Sequence, residues 1–274
     1  MSKSSVPETG FVAVEGGRLY YEVAGTGPSL VLVHAGVADC RMWDDQFEVF
    51  AERFHVIRYD ARGFGKTTSE NVSFSNRQDI VDLLRHVGVE RTAVLGLSRG
   101  GQIALDFTLE HPEMVRALIP VAGAVSGYED QPTEAELPIF TEYERLEEQK
   151  DYEALTDFGV RVWGDGPGQP EGRIAASVRE RLREMIANNY QIHHEEIQPR
   201  VLEPPAVSRL GEVSVPTLVL WGDLDYSGTV TAMKTLVQGI SGAQQVIFPG
   251  VAHMVNMEEP ERFNTVVLDF LEGV

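Results

Sequence analysis

Six short, unbroken apolar runs recur along this chain, at 29–35 (SLVLVHA), 54–60 (FHVIRYD), 92–97 (TAVLGL), 116–123 (RALIPVAG), 215–222 (VPTLVLWG) and 244–250 (QQVIFPG). A strand with one wet face alternates apolar and polar residues, whereas a continuous apolar run suits a strand buried on both faces. The segments between the runs have helical spacing. In 76–87, Ile80, Leu83, Leu84 and Val87 fall at i, i+3, i+4 and i+7, which is one helix face. The segment 99–110 ends at Pro112, which disfavours helix in the residue before it, and 259–272 opens with Pro260 in its first turn. Alternating strand and helix predicts an α/β fold, a mostly parallel central sheet flanked by helices. Upstream, FVAVEGGRLYYEVAGTG (11–27) reads as a hairpin turning at Gly16-Gly17, which adds antiparallel strands at one edge.

The alternation stops between about Gly127 and Leu210, where the pattern is helical instead. In RIAASVRERLREMIANNY, Ile174, Val178, Leu182, Met185 and Ile186 keep one apolar face. The cluster GDGPGQPEG (164–172) is a turn, and EPPAVSRL (203–210) leads back to the sheet. The predicted organisation is a core domain of residues 1–126 and 211–274, with residues 127–210 a helical cap inserted between two sheet strands. Phe158 and Trp163 are candidates to line a pocket there, with packing in the insertion's core the favoured role.

Composition narrows the partners. With 23 basic against 42 acidic residues the net charge is −19, a poor match to nucleic acid, which is bound through clustered Lys and Arg. The single cysteine, Cys40, allows no disulfide within the chain. The N-terminal MSKSSVPETG lacks a signal-peptide core, and no apolar run approaches a membrane span. The expectation is a cytoplasmic protein without membrane or nucleic-acid partners.

Within AVLGLSRGGQ, Ser98 follows a predicted buried strand and precedes a predicted helix. That is the context of a nucleophile elbow, a sharp turn that lifts a hydroxyl above the sheet edge. Gly96 and Gly100 keep Cβ atoms out of the bend, Gly101 lets the helix sit close, and the helix start offers free N–H groups. A serine hydroxyl needs a base, usually an oriented histidine. His86 and His111 sit near helix ends and His55 begins a strand. His193 and His194 diverge if helical and lack the His-x-x-x-His spacing of a metal pair. His253 differs, because GVAHMVNMEEPERF places it after the last strand, at the carboxyl edge where open α/β sheets bind ligands. An orienting carboxylate at the same edge is available in GDLD as Asp223 or Asp225, giving the chain order Ser, acid, His.

Taken in order, LVLVHAG…RMW, VIRYDARGFGKT, GLSRGG, LVLWGDLD and GVAHMVNMEEPERF resemble the α/β-hydrolase fold superfamily, in particular its capped serine esterases and lactonases. The resemblance covers nearly the whole chain outside the insertion. It implies Ser98 as nucleophile, His253 as base and Asp225 as acid, with Asp223 bonding within its loop. It also implies an oxyanion hole from the backbone N–H of Arg99 and of Gly36, the latter counted back from Trp43, with Val37 as second choice. His34 is then a structural hydrogen-bonder, and Asp60 and Arg62 are a candidate pair in a structural loop. No cofactor and no metal are implied.

Two departures stand out. DYSGTV lacks the proline that many relatives carry about four residues beyond the acid, and Ala35 replaces a usual glycine. The reaction these residues imply is hydrolysis of a small, partly apolar ester or lactone through an acyl-enzyme. The same triad also serves enol-lactonases, carbon–carbon bond hydrolases and perhydrolases, and a slow-turnover ligand sensor would retain it. A serine elbow argues against dehalogenase or epoxide-hydrolase chemistry.

Overall fold

In the computed structural model, residues 7–129, 131–192 and 198–274 are described. The chain opens with β1 (Glu8–Val14) and β2 (Gly17–Ala24), then β3 (Ser29–Val33), α1 (Asp44–Ala51) and β4 (His55–Tyr59). Two short strands, β5 (Thr68–Ser69) and β6 (Ser73–Phe74), precede α2 (Asn76–His86), β7 (Thr92–Leu97), α3 (Arg99–Glu110) and β8 (Val115–Val121). Next come α4 (Leu137–Gln149), α5 (Tyr152–Gly159), a π-helical turn at Val160–Asp165 and α6 (Ala176–Ile192). The chain closes with β9 (Gln198–Pro199), β10 (Leu218–Gly222), α7 (Ser227–Gly239), β11 (Gln244–Phe248), α8 (Val255–Glu258) and α9 (Pro260–Glu272).

The main sheet runs β1-β2-β4-β3-β7-β8-β10-β11, with β5 on β2. From β4 to β11 every neighbouring pair is parallel, while β1 and β2 are antiparallel, as the hairpin reading expects. Val14 pairs with Gly17, so the turn residues are Glu15 and Gly16, one earlier than the sequence suggests. Gly16 takes the left-handed conformation, and Gly17 is held small by β5, since a Cβ there would lie 2.6 Å from the Thr68 carbonyl oxygen.

Strands β3, β7 and β10 are buried at every residue, because helices cover both faces. One face packs Trp43, Phe50 and Phe263 beneath α1 and α9, and the other packs Ile80, Leu84, Phe107 and Met233 beneath α2, α3 and α7. Each such side chain contributes roughly 1.5–3 kcal/mol of transfer free energy. The reading of 244–250 as doubly buried needs correction. As the edge strand, β11 leaves Gln244, Gln245 and Ile247 exposed. A short parallel pair, β6 with β9, gave no sequence signal because two residues carry no period.

The chain passes from β3 outward to β4, then returns to β7 on the other side of β3. Such a reversal leaves a crevice at the strands' carboxyl ends, between the loops that follow β3 and β7. The helices α4, α5 and α6 lie between β8 and β10 in sequence, as the alternation gap suggested. Ile174, Leu182, Met185 and Ile186 are buried, and Leu146, Leu155, Phe158 and Val162 form a smaller cluster with Tyr226. Among the described residues no helix is long and apolar enough to cross a membrane.

Candidate active site

Ser98 occupies the single-residue step between β7 and α3, with φ 58° and ψ −121°. Non-glycine residues avoid this region at a cost of about 1–3 kcal/mol, so neighbours must enforce it. They do so by close approach. A Cβ on Gly96 would collide with the Gly100 carbonyl, and one on Gly100 with the Val33 carbonyl. A Cβ on Gly101 would lie 2.9 Å from the Gly123 Cα. The Ser98 N–H donates to Val121 O at 2.8 Å, which ties the bend to β8. The three glycines thus have the roles their spacing predicts.

The loop after β11 carries His253, and the loop after β10 carries Asp225. Nδ1 of His253 stands 2.7 Å from Asp225 Oδ2, and both side chains are almost wholly buried. Asp225 Oδ1 accepts the Tyr226 N–H at 2.7 Å, so both carboxylate oxygens are fixed. Asp223 instead accepts the Gly250 N–H at 2.6 Å, a bond within the loops. Of the two aspartates left open by spacing, geometry therefore joins Asp225 to the histidine. Ser98, Asp225 and His253 follow the carboxyl ends of β7, β10 and β11, one edge of one sheet. Among the described residues no hydrogen bond joins Ser98 Oγ to His253; such bonds often tighten only with substrate bound.

Gly36 lies beside the first turn of α3. A Cβ on Gly36 would sit 3.4 Å from both Cβ and Cδ of Arg99. Among the described residues, the amides of Gly36, Val37 and Arg99 donate to no protein acceptor. Unpaired N–H groups on a loop and at a helix start form a ready site for an oxyanion. Ala35, the departure from the family glycine, is fully buried with its N–H 3.2 Å from Met42 Sδ.

Glu136 ties down the segment that follows Asp225. Its carboxylate accepts the Ser227 N–H at 2.8 Å and the Ser227 hydroxyl at 2.6 Å, and also both donors of Thr133. Burial raises the Glu136 carboxyl, but the Ser227 and Thr133 donors together hold it below the usual carboxylate range. A carboxylate is thereby held at the start of α7, where the helix N-terminus favours negative charge.

Trp163 is half-buried: it packs against the insertion's apolar cluster, and its ring also lies 4.7 Å from that of His253. It lies in the π-helical turn at Val160–Asp165, a distortion often found at functional sites. Phe158 packs in the interior as expected. Arg173 is a further unforeseen element. Its guanidinium pairs with Glu258 and donates to Gly250 O at 2.8 Å, while Glu258 accepts the Ala252 N–H at 3.1 Å. These contacts brace the loop holding His253, across sequence separations that no motif could encode.

The remaining candidates are structural. His34 accepts the Ala61 N–H on Nε2 at 2.9 Å, and its Nδ1 lies 2.7 Å from Ala35 O; burial holds its imidazole below the ordinary range. His86 meets the Tyr21 hydroxyl, His55 begins β4, and His111 caps α3. His193 and His194 lie outside the described residues. Asp60 and Arg62 do not pair. Asp60 accepts the backbone N–H groups of Cys40 and Lys66, and Arg62 reaches across to Asp79 through two bonds of 2.8 Å. The bidentate match to the Asp79 carboxylate takes up the Arg62 fork. Asp39, Cys40 and Asp60 come together, but Asp39 is held by Arg41 and burial pushes the Cys40 thiol up, which suits a structural knot better than a metal centre.

A family model described as the alpha/beta hydrolase fold matches residues 28–260. The 2-hydroxy-6-oxo-6-phenylhexa-2,4-dienoate hydrolase of Comamonas testosteroni is 27% identical, over 92% of this chain and 91% of that protein. The structure is similar to the enol-lactonase of Burkholderia xenovorans, with TM-score 0.73 and 23% identity over 96% of this chain and 100% of that one. It is also similar to a carboxylesterase from Bacillus subtilis, with TM-score 0.76 and 21% identity over 98% of this chain and 93% of that one.

Proposed function

The chain belongs to the alpha/beta hydrolase fold family, and on that premise we propose that it hydrolyses a carboxylic ester or lactone of a small, partly apolar substrate. One observation carries the reading. A serine held at positive φ stands beside two unpaired amides, at the sheet edge that also bears a buried His–Asp pair. In this mechanism Ser98 Oγ attacks the acyl carbon while His253 Nε2 takes its proton. Asp225 holds the ring and stabilises the imidazolium that forms. The Gly36 and Arg99 amides receive the oxyanion. The imidazolium then protonates the leaving alkoxide, and water, deprotonated by His253, releases the acid from the acyl-enzyme. The helices of 127–210 act as the cap, a reading supported by Trp163 against the base and Glu136 at Ser227.

A second reading is hydrolysis of a carbon–carbon bond by the same residues, which the Comamonas relative favours. The leaving group is then carbon and must be protonated as the bond breaks.

A fluorophosphonate, with the adduct located by mass spectrometry and Ser98→Ala as control, tests the nucleophile. Parallel assays use short-chain esters, lactones and 2-hydroxy-6-oxo-6-phenylhexa-2,4-dienoate. The expected result is one adduct on Ser98 with turnover of esters or lactones. No adduct on folded protein overturns the mechanism; turnover of the dienoate alone establishes the second reading. An adduct without turnover of any substrate favours a ligand sensor.

A further inference from the structure

Arg173 reaches from the inserted segment to the loop that carries His253, and all five of its N–H donors are engaged. Nε donates to Asp165 O and Nη2 to Gly164 O at 3.1 Å, so two donors cap the last carbonyls of the π-helical turn that holds Trp163. The other donors cross to the core. Nη1 donates to Gly250 O at 2.8 Å, and Nη1 and Nη2 together grip the Glu258 carboxylate as a two-pronged pair. Both side chains are largely withdrawn from water, at 18% and 13% exposure, so the pair is worth more than a surface one. Glu258 passes the restraint on, since its Oε2 accepts the Ala252 N–H at 3.1 Å. Gly250 is held at its other end as well, its N–H donating to Asp223 at 2.6 Å. The backbone is thus pinned at Ala252, next to the base, and again at Gly250.

The segment that presents Arg173 is itself tied down. The buried Asp165 carboxylate accepts the N–H groups of Gly172 and Ile174, at 3.1 and 3.2 Å, and pairs with Arg179 of α6. That closes the turn 165–174 on itself and fixes the backbone on either side of Arg173. The turn also packs on the base loop, because a Cβ on Gly166 would lie 3.0 Å from Ala252 Cβ and 3.1 Å from Leu224 O. The Asp225 bond orients the His253 ring, but the ring's reach to Ser98 depends on the backbone that carries it. We propose that Arg173 is a positioning residue for the base: through Glu258 and Gly250 it sets the reach of His253 to Ser98, so the inserted segment helps to set the rate of the chemical step. The proposal rests on the reading of Ser98 as nucleophile and His253 as base. A misplacement of about 1 Å costs on the order of a hundredfold in rate, so a loosened base loop is expected to show in kcat.

The test compares the intact wild-type chain with Arg173→Met, Arg173→Lys, Glu258→Gln and the double variant Arg173→Met with Glu258→Gln, all well below their melting temperatures. Each is timed for labelling of Ser98 by a fluorophosphonate, a reaction that needs the base but no natural substrate. Each is also assayed for kcat and KM on a neutral ester; labelling carries the test where no ester is turned over. Arg173→Met should label, and turn over ester, about tenfold or more slowly, with KM within about threefold of wild type. Arg173→Lys should stay within about threefold of Arg173→Met, because an ammonium has three donors and no planar fork. Glu258→Gln keeps volume and one acceptor oxygen, and should lose about threefold or more. The double variant should lose no more than about twofold beyond Arg173→Met, since both residues act through one contact. Rates within about twofold of wild type overturn the proposal, and with a lower melting temperature they mark a brace for stability alone. So does a loss confined to KM, full recovery by Arg173→Lys, or additive losses in the double variant. If Arg173→Met fails to fold, Glu258→Gln carries the comparison on the same readouts. Wild type that neither labels nor turns over any ester removes the Ser98 and His253 assignments, and this proposal with them. Labelled wild type with unaffected variants removes this proposal alone.

Discussion

The indole of Trp163 rests against the imidazole of His253, with ring centroids 4.7 Å apart and planes inclined at 46°. Trp163 also meets Tyr226 at 5.3 Å, and Tyr226 meets Phe140 at 5.3 Å. The aromatic row joins α4, the residue after the proposed acid, the π-helical turn and the proposed base. Aromatic contacts of this kind contribute about 0.5–1.5 kcal/mol each beyond their buried area, enough to bias a ring's orientation. Trp163→Leu is therefore expected to lower kcat/KM by roughly tenfold through a less well-placed imidazole. Steady-state kinetics on an ester, with thermal melts to confirm folding, check this; unchanged kinetics would show that the Asp225 bond alone orients the ring.

Asp225 and Asp223 differ in what their loss should do. An amide at 225 cannot hold the same imidazole tautomer or stabilise imidazolium, so Asp225→Asn should cut kcat by roughly 10⁴-fold. Asp223→Asn keeps an oxygen to accept the Gly250 N–H. It should leave kcat within about threefold and cost no more than about 1 kcal/mol of stability. Equal kinetic losses in the two variants would refute the choice of acid.

The glycines separate close approach from backbone freedom. At Gly100 a methyl group would meet the carbonyls of Val33 and His34. Gly250 has a φ of 75° with open space around its Cβ position. Gly100→Ala is expected to lose about 3 kcal/mol or more, or to fail to fold, while Gly250→Ala loses about 1 kcal/mol. Urea unfolding of both variants gives the comparison.

Glu136 makes stability depend on pH in a defined direction. Its carboxyl is held below the usual range in the folded protein by Ser227 and Thr133, against the effect of burial. The folded chain therefore binds its proton less readily than the unfolded chain. The resulting stabilisation is complete above the unfolded carboxyl's pKa of about 4.3, and is lost as pH falls through the lower folded value. Glu136→Gln should be less stable than wild type by about 1–2 kcal/mol at pH 7, and the gap should narrow as pH drops below that unfolded value. A gap that stays constant or widens on acidification would contradict this.

Much of the architecture was legible along the chain because its signals are local. Continuous apolar runs marked β3, β4, β7, β8 and β10, and the loss of alternation after Gly127 marked the inserted helices. The Gly-x-Ser-x-Gly frame carried the bend at Ser98, since crowding between residues a few positions apart requires the absence of Cβ atoms. Chain order narrowed the candidates to Ser98, His253 and either Asp223 or Asp225. Tertiary structure decided the rest. It joined Asp225 to His253, gave Arg62 to Asp79 instead of Asp60, and set Trp163 against a ring 90 residues away. It also set Glu136 on Ser227, 91 residues away. Periodicity and steric exclusion act between near neighbours and leave their imprint in sequence; ion pairs, ring contacts and side-chain hydrogen bonds join segments far apart in the chain, so only the folded arrangement determines them.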